Sequence, residues 1–182
     1  MPVHSGQGNE RKIVDTSEIR DFRVNNEDRE LRFRGKFLGF TSTENRGSDR
    51  WIEFAIYRTE GGKYVLSRAG RSIRFHVRNC STVAKNPHLR PASLATMTDE
   101  SSPCPECMPR GDYHLDDNEQ VYPEQDRTWA GVFDTPQSLI DDGLSKRENG
   151  VSFLTTVARQ VLEKAAENDR DLYDAYYVVE VD

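Results

Sequence analysis

Only three cysteines, Cys80, Cys104 and Cys107, stand among the 182 residues of this chain. So small and odd a number excludes the disulfide framework of a secreted mini-protein. No apolar run approaches the ~20 residues that would cross a bilayer as a helix, so no membrane partner is expected. Residues 1–10 hold no apolar stretch resembling a signal peptide, and a cytoplasmic location is the expectation. The usual catalytic signatures are missing too. There is no G-x-S-x-G, no Walker loop and no G-x-G-x-x-G. Gly61-Gly62 belongs to a hairpin turn, and the acid pairs Asp116-Asp117 and Asp141-Asp142 read as solvated surface.

What is present is polar. Charged residues make up 31% and hydrophobic residues 35%, still enough for one core at this length. The net charge of −6 hides a split. Residues 1–90 carry 18 basic and 11 acidic residues, a balance of +7, and residues 91–182 carry 7 and 20, a balance of −13. Arg68, Arg71, Arg74, Arg78, Lys85 and Arg90 follow one another with no acid between them. A basic half can mark a polyanion site or can neutralise the acidic half within the fold.

Period-two alternation marks the strands. Across 31–40, Leu31, Phe33 and Phe37 face one way, and Arg32, Arg34 and Lys36 the other. Across 51–58, both faces are apolar, as in a central strand. Thr59-Glu60-Gly61-Gly62 turns the chain into 63–68, and Ala69-Gly70-Arg71 reads as a second turn. Then 72–78 alternates, with Ile73, Phe75 and Val77 inward and Arg74, His76 and Arg78 outward. Together these predict an antiparallel meander of about four strands. Residues 79–126 lose all periodicity and hold most of the prolines. So long an irregular stretch needs something to hold it. After a short strand at 129–133, Asp134 or Thr135 caps a short helix over 137–144, with Pro136 in its first turn. Leu154, Val157, Ala158, Val161, Leu162 and Ala165 then recur at helical spacing, a stripe made for a sheet. One more helical turn over 171–176 and a strand over 177–181 follow. The expected fold is α+β: an antiparallel sheet of four to six strands, two C-terminal helices and a zinc-stapled loop insertion. The expected layout is a mobile tail over 1–16 and one domain over 17–182.

The zinc expectation comes from spacing. His76-Val-Arg-Asn-Cys80 and Cys104-Pro-Glu-Cys107 give H-x3-C, a gap of 23 residues and C-x2-C. Three thiolates and an imidazole suit tetrahedral zinc, and a C-x2-C turn aims both sulfurs at one place. On a continuing strand His76 and Cys80 would lie ~13 Å apart, so the strand must end after His76, with Asn79 a suitable turning point. His88 and His114 are alternatives for the fourth ligand. Alternatively, His76 is a polar-face residue between two arginines. A redox role for Cys104 and Cys107 lacks the βαβ context that thioredoxin-like motifs use.

The stretch Trp51-Ile-Glu-Phe-Ala-Ile-Tyr57-Arg-Thr-Glu-Gly-Gly-Lys-Tyr64-Val65, with the ending Glu180-Val-Asp182, resembles the actinobacterial EXLDI family. Here Val181 stands where the motif has leucine, and the cysteine-bearing insertion has no counterpart in the resemblance. It implies an α+β fold and carries no activity over. Three functional expectations result. The first is a non-enzymatic interaction or regulatory module with structural zinc and a protein partner. The second is a nucleic-acid-binding module, with Arg32, Arg34, Lys36, Arg74 and Arg78 on one basic sheet face and Phe40 or Trp51 for stacking. The third is a zinc-dependent enzyme, which needs one of the four ligands replaced by water.

Overall fold

The computed structural model describes residues 18–107, 116 and 119–178. The tail over 1–16, His114, most of the strand expected over 177–181, and the Glu180-Val-Asp182 ending lie outside the described residues. In chain order the elements are β1 (Arg20–Asn26), β2 (Arg29–Ser42), β3 (Arg50–Thr59), β4 (Tyr64–Ser72), β5 (Arg74–Val77), α1 (Ser81–Lys85), β6 (Ala92–Ser93), β7 (Ser102–Pro103), β8 (Gln120–Pro123) and β9 (Arg127–Phe133). There follow α2 (Pro136–Ser138), running on as a π-helical turn over Leu139–Leu144, then β10 (Ser145–Glu148), β11 (Val151–Leu154), α3 (Thr156–Ala166) and α4 (Arg170–Tyr177).

The fold is α+β, and its main layer is an antiparallel sheet of five strands in the order β1-β2-β3-β4-β9. Both faces of the central strand β3 are used, as its alternation requires. Phe54 and Ile56, with Leu38, Tyr64 and Leu66, pack against Leu139, Val161, Leu162 and Leu172 from the helices. On the opposite face Val24, Val65 and Ala130 cluster with Leu31, Phe33 and Tyr57. Val24 and Ala130 sit on the two outermost strands, so this second face is concave. The curl brings the Glu27 amide to the Thr128 carbonyl at 3.0 Å. A bulge between Phe37 and Gly39 in β2 lets Leu38 turn toward the helices while Phe37 stays on the concave side. Gly39 is needed there, because a Cβ would come within 2.9 Å of the Ala165 backbone nitrogen on α3.

Three expectations change at the level of elements. Ala69-Gly70-Arg71 does not turn; β4 runs through it, paired with β3 and β9 along its length. The β5 strand leaves the meander and becomes part of a second sheet, ordered β6-β8-β5-β7. Leu154 precedes the core helix rather than opening it: it ends β11, and Thr155 caps α3 by accepting from the Ala158 amide at 3.3 Å. The β10–β11 hairpin turns on Asn149 and Gly150, both with positive φ (50° and 79°). The expected cap of the short helix is present as a capping box between Thr135 and Ser138.

A buried network ties α4 to the sheet. The Asp169 carboxylate accepts from the Leu172 amide at 3.0 Å as the helix cap, from the Tyr64 hydroxyl at 3.0 Å and from Arg58 Nη1 at 2.7 Å. Burial and the neighbouring Asp169 charge push the Tyr64 hydroxyl well above the usual tyrosine range. Burial disfavours the Arg58 cation, but its bonds to Asp169 and Asp171 outweigh that and hold it firmly charged. Asp169→Ala removes a cap and leaves a buried hydroxyl without its acceptor. The expected cost is about 3 kcal/mol, read as a lowered midpoint in urea. Asp169→Asn, which keeps the cap, is expected to retain roughly half of that loss.

Candidate metal centre

The β5 strand is the axis of the second sheet, and its neighbours deliver the site. Antiparallel β8 pairs His76 with Tyr122, and parallel β7 pairs Phe75 with Pro103. The Cys104 amide then bonds the Phe75 carbonyl at 2.8 Å, which sets Cys104 beside the end of β5. Cys104-Pro-Glu-Cys107 closes as a tight turn, its Cys107 amide 2.9 Å from the Cys104 carbonyl. As the spacing requires, β5 stops at Val77. The Cys80 amide bonds back to the Val77 carbonyl at 3.0 Å, and Cys80 caps the start of α1.

These turns bring His76, Cys80, Cys104 and Cys107 together, with all four ligand atoms within 4.8 Å of one another. His76 Nδ1 lies 3.3 Å from the Cys80 sulfur and 3.9 Å from that of Cys107. A zinc tetrahedron with bonds of ~2.0 and ~2.3 Å has nitrogen–sulfur edges of ~3.5 Å, between those values. The donor set therefore fits a tetrahedral thiophilic metal. Cys80, Cys104 and His76 are buried, and the Val77 amide donates to the Cys107 sulfur at 3.4 Å. Among the described residues no other group of three or more His, Cys, Asp or Glu side chains converges in this way.

His76 is 1% exposed, so its expected outward position is corrected. Alternation alone placed it on a wet face, but Cys80, Cys107 and Glu124 meet its ring. Of the alternatives, His88 is exposed and outside the cluster.

The sequence reading missed Glu124. With Nδ1 facing the sulfurs, the His76 ring carries its proton on Nε2 and donates it to Glu124 at 2.8 Å. Glu124 also accepts from Arg50 Nε at 2.8 Å and from the Ser72 hydroxyl at 2.6 Å. Burial works against the Glu124 charge, but those donors, Arg50 foremost, bring its carboxyl down to about 2. A carboxylate behind a metal-ligating histidine fixes the tautomer and the ring orientation. Glu124 lies 48 residues from His76, and no spacing rule reaches that far. If the cluster holds a metal, Glu124→Gln is expected to weaken its binding by roughly 10- to 100-fold, measured with added metal by competition with a chelating dye.

Two of the thiols are shifted in opposite directions. Burial raises both cysteines, yet bonds from Cys107, the Thr82 backbone and His76 bring Cys80 down to about 7. Burial pushes Cys107 up to about 12. A bound dication would displace the Cys107 proton, so loading releases protons and strengthens as pH rises.

The five basic residues proposed for nucleic acid do not share one face. Arg32, Arg34 and Lys36 lie on β2 of the main sheet, whereas Arg74 opens β5 of the second sheet and Arg78 follows it. Arg32 pairs with Glu30, Arg34 with Glu60 at 3.3 Å, and Arg74 with Asp49 through a second contact at 2.9 Å. Lys36 and Arg78 have no ion-pair partner among the described residues. No family model, curated protein or solved structure matches this chain.

Proposed function

We propose that the chain is a non-enzymatic interaction or regulatory module whose second sheet is held by a structural zinc ion. The supporting observation is the convergence of four protein ligands, three of them buried. Four such ligands fill a tetrahedron and leave no position for a reacting water, which is the mark of a structural rather than a catalytic zinc. A surface suited to a protein partner is at hand on α4. Tyr173 and Tyr177 form a tilted pair, 4.9 Å between ring centroids, and stay 42% and 50% exposed. Aromatics of this kind are enriched where proteins meet.

The test is elemental analysis of protein purified without chelators, followed by cobalt substitution. About one zinc per chain and the absorption bands of tetrahedral cobalt–thiolate are expected. Metal-free native protein, or a cobalt spectrum with an exchangeable water ligand, overturns the reading. The competing nucleic-acid reading retains Lys36 and Arg78 as its uncommitted cations. It requires oligonucleotide retention that falls steeply with salt; no retention at low salt ends it.

A further inference from the structure

A cleft of about 780 Å³ opens where the end of the main sheet meets the cysteine-bearing layer. Its size lies within the ~300–1,000 Å³ of small-molecule sites. The sheet supplies Trp51 and Ile52, and the opposite wall supplies Thr82 of α1 and Leu89 just beyond it. Ile52 is 39% exposed although β3 pairs it with Gly70 of β4, and it lines this space.

The charges of the lining do not cancel. Arg50 is held by Glu124, and Arg71 by Glu53 and Asp126. Both lining carboxylates are thereby committed. Arg127, the first residue of β9 and the register partner of Gly70, also lines the cleft and has no ion-pair partner among the described residues. One uncommitted cation in the same cross-strand row as Ile52 and Gly70, with Leu89 in the opposite wall, defines a ligand chemistry: an aromatic body carrying an anionic group.

We propose that this cleft binds a small aromatic anion, its ring between Ile52 and Leu89 and its charge on Arg127. Aryl carboxylates and nucleoside monophosphates share that chemistry. The site depends on the structural-zinc reading for one wall only. Cys80 is the N-cap of helix α1, and Glu124 in the lining holds His76, so loss of the metal would loosen the wall that carries Leu89.

The experiment uses the full chain with Trp129→Phe, leaving Trp51 as the sole tryptophan reporter, and with zinc content measured on the same sample. Benzoate, 1-naphthoate, adenosine monophosphate and uridine monophosphate are titrated beside the neutral probes benzyl alcohol and adenosine. Saturable change in Trp51 fluorescence with one anionic class, and not with its neutral counterpart, supports the site and identifies the source. Arg127→Gln should weaken that binding at least ~10-fold, about 1.4 kcal/mol, and Ile52→Glu should abolish it while the zinc content stays unchanged. No saturation by any anion up to ~1 mM overturns the proposal whatever the zinc content. Binding indifferent to both substitutions overturns it as well, as does much tighter binding of an oligonucleotide than of the mononucleotides. Zinc-free protein that still binds the anion keeps the cleft and overturns the structural-zinc reading instead.

Discussion

Val161→Asp is expected to unfold the main layer outright. Val161 is completely buried on the face of α3 that meets the sheet, among Leu38, Ile56 and Leu66. The substitution removes an apolar side chain worth about 1.5–3 kcal/mol of burial. It also puts a carboxyl where no described donor is free to meet it, at a further cost of several kcal/mol. A domain of this size has about 5–15 kcal/mol in total, so the variant should be insoluble or lack cooperative unfolding. Since it leaves no folded protein to measure, Leu162→Ala supplies the graded version. Leu162 is equally buried, and the expected loss is about 2–5 kcal/mol in urea unfolding. Arg159→Ala, on the exposed side of the same helix, should stay within about 0.5 kcal/mol. A soluble Val161→Asp protein with an unchanged melting temperature would contradict the placement of α3.

The same physics explains which parts of the fold were legible beforehand. The β2 and β3 strands announce themselves because each has a face that must be dry, and period two is a strong local signal. The α3 helix is legible for the same reason at period 3.6. The second sheet is not legible, since its strands are two to four residues long and lie among prolines. Their pairing is organised by β5 and by the cysteine turns rather than by alternation. The β10–β11 hairpin had a readable turn in Asn149-Gly150, but Ser145, Lys146, Arg147 and Glu148 offered no apolar alternation to flag a strand. His76 shows the limit most clearly. Its polarity and its position between Arg74 and Arg78 argued for an outward side chain. Only the arrival of residues nearly thirty positions later makes that face an interior. The cysteines of the cluster were readable because C-x2-C is a local device; the carboxylate against His76, Glu124, was not, because its contact exists only after three segments have come together.

Cys104→Ser is expected to release the metal and open the second sheet while leaving the main layer folded. Cys104 is 3% exposed and anchored by its own amide to Phe75, so its sulfur points into the cluster from the edge of β5. Serine keeps the shape and loses the thiolate. Two thiolates and an imidazole hold zinc far less tightly, and structural zinc contributes its binding free energy directly to folding. Beyond Phe75 and Val77 of β5 the second sheet has little else. Between residues 79 and 123 only Cys80, Cys104 and Val121 are buried apolar side chains among the described residues. The main layer, by contrast, draws its core from β2, β3, β4 and the helices, none of which contributes a ligand. Limited proteolysis should therefore cut the variant between residues 79 and 126 and spare a fragment carrying α3 and α4. Wild-type protein stripped with a chelator should give the same fragment and regain protection when zinc is restored. Equal resistance of wild type, stripped protein and Cys104→Ser would mean that the second sheet is held by something other than a metal.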